Sequence, residues 1–143
     1  MSVTFHVEGT VQMPDFDQQR ITQWVAAVAE VHARKVGDIN YIFVDDERIL
    51  DINRQFLEHD YYTDIITFDY TQGKNISGDL FISLDTVASN AQLVGSSYDE
   101  ELLRVVIHGV LHLCGINDKG PGEREIMEQH ENEALALYRK ALA

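Results

Sequence analysis

The chain has little of what marks secreted and membrane proteins. It contains one cysteine, Cys114, which excludes an internal disulfide and is typical of a reducing compartment. Residues 1–9 lack the basic and apolar segments of a signal peptide. No apolar run approaches the ~18 residues that a membrane-spanning helix needs. We therefore expect a cytoplasmic protein that has no membrane partner.

Positive charge is also scarce. The 143 residues include 11 Lys and Arg against 24 Asp and Glu, which gives a formal net charge of −13. Phosphate backbones are bound mainly through Lys and Arg side chains, so this balance excludes nucleic-acid binding by the surface as a whole. Contact with a nucleic acid would need a local positive cleft, a bound metal ion or a partner protein.

Residues and segments that separate domains are scarce, since the chain has two prolines and neither a repeat nor a Ser/Gly-rich linker. This length suffices for one core without disulfides, so we predict a single domain over residues 1–143. Hydrophobic periodicity predicts the order β-α-β-α-β-β-α-α-α. The predicted strands cover residues 3–7, 39–44, 63–70 and 78–84. The predicted helices cover residues 18–35, 46–56, 85–94 and 123–142, with a further helix that begins at a capping box at Ser97 and ends before Gly115.

This order predicts an α+β fold, in which a small mixed sheet of four strands is packed with helices. The helix before Gly115 is apolar nearly all round, which predicts a central core element with a buried Cys114. In the last helix, Ile126 and Met127 are predicted to lie in the core. The acidic run over residues 123–133 is predicted to be a solvated face.

The most informative motif is a pair of histidines, His108 and His112, on the predicted central helix. A spacing of four places both rings on one face, where they can reach one ion. Gly115 can end the helix in a left-handed conformation, after which the chain can bring Asp118 to the same ion. Three protein ligands and an open fourth position are typical of catalytic zinc. The motif predicts about one Zn²⁺ per chain, although the carboxylate admits other divalent metals.

Alternatives remain open at this motif. Two core histidines with satisfied hydrogen bonds would have the same spacing, and Asp118 could be a turn residue ahead of Gly120. The spacing is that of the metzincin signature H-E-x-x-H-x-x-G-x-x-H, but Gly109 stands where a peptidase keeps its general-base Glu. Peptidase chemistry is therefore disfavoured. Gly109 is explained either by close packing of another element or by substrate access.

With this motif in place, the chain resembles the YbeY family of metal-dependent endoribonucleases, which act in ribosomal RNA maturation. The family hallmark H-G-x-L-H-L-x-G-Y-D-H is similar to residues 108–118, which read H-G-V-L-H-L-C-G-I-N-D. The family pattern L-N-x-x-Y-R-x-K-D-x-P-T-D-V-L-S-F is similar to residues 52–68. Residues 78–83 resemble the family's G-D-I strand. The similarity runs from about Phe43 to Glu133.

The chain departs from the family pattern at several positions. Leu57 stands where the family usually has an Arg near the cleft, so a guanidinium that could hold phosphate is missing. We expect Arg54 and His59, together with the metal, to make the phosphate contacts instead, and Thr63 and Asp64 to shape the turn into the next strand. Alternatively, Arg54 is an exposed residue paired with a nearby acid. The other departures are His59 for a Lys, Tyr62 for a Pro, Asn117 for an acidic residue and Asp118 for the third His ligand.

The resemblance implies a metal-dependent endoribonuclease that cleaves single-stranded RNA and takes part in 16S rRNA 3′ end maturation and ribosome biogenesis. Its partners would be ribosomal RNA and the ribosome or ribosomal proteins. A metal held by His108, His112 and Asp118 would polarise a phosphoryl oxygen and activate a water molecule. A carboxylate ligand removes one positive charge from the site, so the bound water should be less acidic than in a three-histidine site. The alternatives are a zincin-like metallopeptidase and a weakly catalytic, metal-stabilised adaptor that binds the ribosome.

Overall fold

A computed structural model of the chain describes residues 2–57 and 63–140. The elements follow the predicted order of strands and helices. The strands are β1 (Ser2–Val7), β2 (Lys35–Val44), β3 (Ile65–Asp69) and β4 (Asn75–Ser83). The helices are α1 (Gln18–Val31), α2 (Asp46–Phe56), α3 (Leu84–Val94), α4 (Tyr98–Leu113) and α5 (Glu123–Lys140). None of the helices in these two ranges is both long and apolar enough to cross a membrane.

The four strands form one mixed sheet in the order β1-β2-β4-β3. β2 pairs in parallel with both β1 and β4, whereas β3 pairs antiparallel with β4. The predicted α+β class with a small mixed sheet is therefore confirmed. The order leaves β3 at one edge of the sheet, with one side free to border a cleft.

The main core lies between one face of the sheet and helices α1, α4 and α5. Alternate residues of β2, namely Ile39, Tyr41 and Phe43, are fully buried in this core. The Tyr41 hydroxyl donates a hydrogen bond to the carbonyl oxygen of Val106 at 3.0 Å, which ties the sheet to α4. The prediction that α4 is a central core helix is confirmed by its buried residues, which are Glu101, Leu102, Val105, Val106, Ile107, Gly109, Val110, Leu111 and Leu113.

A smaller core covers part of the opposite face of the sheet. Ile42 and Val44 of β2 and Ile66 of β3 pack there against Ile49 and Ile52 of α2. Asp45 caps the N-terminus of this helix, since its carboxylate accepts a hydrogen bond from the Arg48 amide at 2.8 Å. The small core fixes α2 against the sheet and so fixes the position of the C-terminal end of α2.

Two element boundaries were predicted wrongly where β2 begins. α1 ends at Val31 rather than residue 35, and Ala33 adopts a left-handed φ of 59° just beyond it. β2 begins at Lys35 rather than residue 39, because the Lys35 amide donates to the Lys74 carbonyl oxygen at 2.8 Å. Gly37, which lies between the predicted helix and the predicted strand, is inside β2, at an irregularity between Val36 and Ile39. A Cβ at Gly37 would collide with Ser77 Oγ, so the neighbouring strand requires glycine there.

The remaining boundaries match the prediction, as for α2, or differ from it by one to three residues. β4 starts at Asn75 rather than residue 78, and β3 covers Ile65–Asp69 rather than residues 63–70. α3 starts at Leu84 because Ser83 is its N-cap, with Ser83 Oγ accepting a hydrogen bond from the Thr86 amide. The predicted end of α5 at residue 142 lies outside the described residues.

The last helix tests the predictions about burial. Met127 is buried as predicted, but the prediction for Ile126 is wrong, since Ile126 is 51% exposed. Adjacent residues point about 100° apart around a helix, and at this end of α5 it is Met127 that faces the core. The acidic run is mainly exposed, except that Glu131 is only 8% exposed. Cys114 is buried as predicted.

His32 forms a contact between two helices that should depend on pH. It caps the C-terminus of α1, and its ring lies 5.0 Å from that of His130 on α5, measured between centroids. Burial, together with the charge of His130, lowers the pKa of His32 against the opposing effect of Glu133. A histidine whose pKa is lower in the folded state stabilises the fold above its unfolded pKa of about 6.5, and this stabilisation is lost as the pH falls.

We therefore expect wild-type protein to lose more thermal stability than His32→Gln when the pH falls from about 7.5 to about 5.5, because glutamine takes up no proton. Melting curves of both proteins across this range measure the difference. His6→Gln, which replaces an exposed histidine of β1, is the matched control and should behave like wild type. An equal decrease in wild type and His32→Gln would contradict the prediction.

Candidate metal centre

A cleft of about 370 Å³ lies beside the C-terminal half of α4. The edge strand β3 and the loop after α4 form its other walls. The residues that line it are Asn53, Leu57, Thr63, Asp64, Ile65, Ile66, Thr67, His108, His112, Asp118 and Lys119. The cleft therefore contains all three predicted metal ligands.

The turn after α4 brings Asp118 back towards the helix. Gly115 has a φ of 94°, a left-handed conformation that other residues rarely adopt. Its amide donates to the His112 carbonyl oxygen at 2.9 Å, and the Ile116 amide donates to the Leu111 carbonyl oxygen at 3.1 Å. This pair of hydrogen bonds is the Schellman motif, which reverses the chain at a helix C-terminus. The role predicted for Gly115 is confirmed.

Gly109 lets the sheet pack directly against α4. A Cβ at this position would lie 2.9 Å from Ile65 Cδ1 and 3.0 Å from Leu80 Cδ1, which is closer than such contacts normally come. Of the two explanations given for this glycine, the structure supports close packing. Asp64, which precedes β3, is thereby held next to the face of α4 that carries the histidines.

Acidic side chains surround His108. Its Nδ1–H donates to Glu131 Oε2 at 2.6 Å, and its Nε2 lies 3.3 Å from Asp118 Oδ2. Burial alone lowers the pKa of His108, but the hydrogen bond and charge of Glu131, followed by the charges of Asp118 and Asp64, outweigh burial and raise it. The His108 side chain of the folded protein therefore favours a positive charge on the ring or a cation next to it.

The spacing of His108 and Asp118 suits a shared metal ion. Two ligand atoms bound to one tetrahedral zinc at about 2.0–2.1 Å are about 3.3–3.4 Å apart. The distance between His108 Nε2 and Asp118 Oδ2 is 3.3 Å. His112 lies one helical turn further along the same wall of the cleft. Nevertheless, residues 2–57 and 63–140 contain no group of three or more His, Cys, Asp or Glu side chains already arranged to hold a metal. The donor types fit zinc, and two of the three donors are at ligand spacing.

Two charged residues of the cleft were not predicted to belong to it. Asp64 was assigned to shaping a turn, yet its carboxyl group lines the cleft. Burial raises its pKa, against opposing contributions from His108 and from the backbone amides of Asp64 and Ile65. Lys119, to which no role was assigned, also lines the cleft. The sequence did contain a signal for Lys119, because it directly follows Asp118 in a chain that has few cations.

The two residues expected to contact phosphate have different positions. Arg54 is exposed on α2, between Asn53 and Leu57, and both of these neighbours line the cleft whereas Arg54 does not. His59 lies outside the described residues. Their expected role therefore stays a prediction. His32 and His130 lie outside the cleft and pack against each other.

Comparisons with known proteins agree with these features. The family model described as Endoribonuclease YbeY matches residues 6–139. A Bacteroides thetaiotaomicron protein named Endoribonuclease YbeY is 62% identical over 137 residues, which cover 96% of this chain and 99% of that protein. A Parabacteroides distasonis protein of the same name is 61% identical and is covered to 96%. The solution structure of TM1509 from Thermotoga maritima shares the fold, with a TM-score of 0.65 and 24% identity over 98% of this chain and 93% of that one.

We propose that His108, His112 and Asp118 hold one divalent ion, for which zinc is the expected metal. Dialysed protein should bind about one Zn²⁺ per chain, and the double variant His108→Ala/His112→Ala should bind none, because two of three ligands are lost. Asp118→Ala should weaken binding, and Asp118→His should restore it, since imidazole is a good third ligand. Elemental analysis and calorimetric titration measure both effects.

His6→Ala is the control for this metal prediction, since His6 lies exposed on β1. Equal metal content in wild type and the double variant would contradict the site. Unchanged zinc affinity in Asp118→Ala would instead establish Asp118 as a turn residue.

Proposed function

The chain belongs to the YbeY endoribonuclease family, and from this membership and the chemistry of its cleft we propose that it is a metal-dependent hydrolase of single-stranded RNA. Its proposed substrate is ribosomal RNA, with the 3′ end of 16S rRNA as the target, in the cytoplasm and in association with the ribosome. The observation that carries the proposal is the pair of His108 Nε2 and Asp118 Oδ2, 3.3 Å apart in the cleft.

Different residues of the cleft would have different roles in hydrolysis. A divalent ion bound there would supply Lewis-acid activation of a phosphoryl oxygen and of a water molecule. His108 and Asp118 present a nitrogen and an oxygen donor towards the cleft at ligand spacing. Gly109 offers no side chain as a base, whereas Asp64 offers a largely buried carboxyl group in the opposite wall. Asp64 is therefore the proposed acceptor for a proton of the attacking water.

The cleft also needs cations to hold a phosphate, because the chain as a whole is strongly acidic. Leu57, an apolar residue, lines the cleft at the position where the family resemblance led us to expect an Arg. Lys119 lines the same cleft, and Arg54 is an exposed residue of α2 that directly follows Asn53 of the cleft wall. We assign the phosphate contacts to Lys119 and Arg54, with His59 retained as a further candidate. Few cations limit the number of phosphates held, which suits a short single-stranded segment.

An aromatic side chain near the same end of α2 supports a single-stranded substrate. Phe56 is 59% exposed and comes directly before Leu57 of the cleft wall. Its ring is held at its edge by Phe68 of β3, with centroids 5.9 Å apart and planes at 87°. Exposed aromatic rings stack with the unpaired bases of single-stranded nucleic acids. Stacking provides affinity that does not depend on the net charge of the protein.

Zinc-loaded protein should cleave a single-stranded RNA from the 3′ region of 16S rRNA, and His112→Ala should reduce the rate by about 100-fold or more, since a ligand of the activating metal is lost. Gel analysis of cleavage products measures the rate. The same RNA annealed to its complement and casein are the control substrates, and neither should be cleaved. Cleavage of casein but not of RNA would indicate a metallopeptidase. Tight ribosome binding without cleavage of either substrate would indicate an adaptor.

Lys119→Ala and Arg54→Ala should each weaken binding to a non-cleavable 2′-O-methyl RNA. Each variant should also reduce the salt dependence, log Kd against log salt concentration, by about 0.7, the value for one phosphate contact to a single strand. Lys74→Ala, which removes an exposed cation in the turn that precedes β4 and does not line the cleft, is the charge-matched control and should leave the slope unchanged. Equal slopes for Lys119→Ala and Lys74→Ala would place the phosphate contact elsewhere.

A further inference from the structure

Glu131 differs from every other acidic residue of α5 by being buried. It is only 8% exposed, whereas its neighbours in the acidic run, such as Glu128 and Glu133, face solvent. Burying a carboxylate is costly unless charged or hydrogen-bonding partners replace the lost water. The contacts of the Glu131 carboxylate therefore indicate its function.

The two oxygens of Glu131 contact two different residues of α4. Oε2 accepts the 2.6 Å hydrogen bond from His108 Nδ1–H, and Oε1 accepts a 3.0 Å hydrogen bond from Arg104 Nη1. Arg104 and His108 are four residues apart, so Glu131 spans one turn of α4. Arg104 Nη2 also donates to Asn132 Oδ1 at 2.8 Å, which holds the guanidinium against α5. The carboxylate is thus fixed from both sides.

This arrangement determines which nitrogen of His108 faces the cleft. A neutral imidazole carries its proton on one nitrogen, and a carboxylate at Nδ1 keeps the proton there and leaves a lone pair on Nε2. Nε2 is the nitrogen at 3.3 Å from Asp118 Oδ2. A carboxylate that orients a ligand histidine raises the basicity of the ligand and typically changes metal affinity by 10–100-fold.

We propose that Glu131, held in place by Arg104, is a positioning residue for the metal centre, because it fixes the tautomer and ring orientation of His108. This inference rests on the metal site proposed above and extends it to α5, beyond the H-x-x-x-H motif. The alternative is that Glu131 only ties α4 to α5 through a buried ion pair. That role predicts a loss of stability without any specific change in metal binding.

The test compares Glu131→Gln, Arg104→Gln and the control Glu128→Gln. Zinc affinity, measured by competition with a chromophoric chelator, should fall about 10–100-fold in Glu131→Gln. It should fall far less in Arg104→Gln, in which the carboxylate remains beside His108, and should not change in Glu128→Gln. Unfolding of the metal-free proteins is recorded in parallel, and both Glu131→Gln and Arg104→Gln should be destabilised. Equal zinc affinity in Glu131→Gln and wild type, at whatever stability, would overturn the proposal.

A second measurement does not depend on zinc. Long-range ¹H–¹⁵N correlation spectra of metal-free wild type, recorded as the pH is raised until the His108 ring has lost one of its two protons, should show the remaining proton on Nδ1, and Glu131→Gln should shift it towards Nε2. A wild-type proton on Nε2 would overturn the proposal. If wild type bound no zinc, the proposed metal site would fail. These spectra would still show whether Glu131 fixes the tautomer of His108.

Discussion

The burial of α4 is the constraint on which the rest of the structure depends. This helix lies between the sheet and α5, and apolar side chains cover almost all of its surface. Its few polar side chains therefore have to lie where they find partners, and Arg104, His108 and His112 follow one another at intervals of four along one face. Gly109 brings the sheet close enough to bury the helix while the edge strand still reaches that face. The same packing that makes the core thus creates a cleft whose walls carry polar groups.

The electrostatics of the cleft differ from those of the surface. A surface with a net charge of −13 repels a polyanion, but the acids around His108 are not solvated surface charges. Glu131 is satisfied by an imidazole and a guanidinium, and Asp118 faces the same imidazole. Acidic groups concentrated around a histidine favour a cation at that place. A cation bound there would reverse the local charge that a phosphate meets, which reconciles an acidic protein with an RNA substrate.

Sequence patterns predicted the elements better than their ends. The order of nine elements, the mixed sheet and the central helix all followed from periodicity, because that periodicity records which side chains must be buried. The start of β2 was missed because it depends on residues far apart in the chain. The Lys35 amide donates a hydrogen bond to the Lys74 carbonyl oxygen, and Gly37 packs against Ser77 of β4. Ile126 and Met127 were indistinguishable by composition, and only the packing of α5 decided which of them faces the core.

For the candidate site, local sequence determined the H-x-x-x-H pair and the glycine turn, since helix geometry and the need for a positive φ depend on neighbouring residues alone. It also predicted Asp118 at the same centre, because the turn is short. Only the tertiary structure placed Asp64, Lys119 and Glu131 around that centre. These residues come from the start of β3, the loop after α4 and the buried side of α5. A single charged residue just before a strand, in a turn or in an acidic helix looks the same in sequence whether it faces water or the site. Which of the two it faces is decided by the packing of elements distant in the chain.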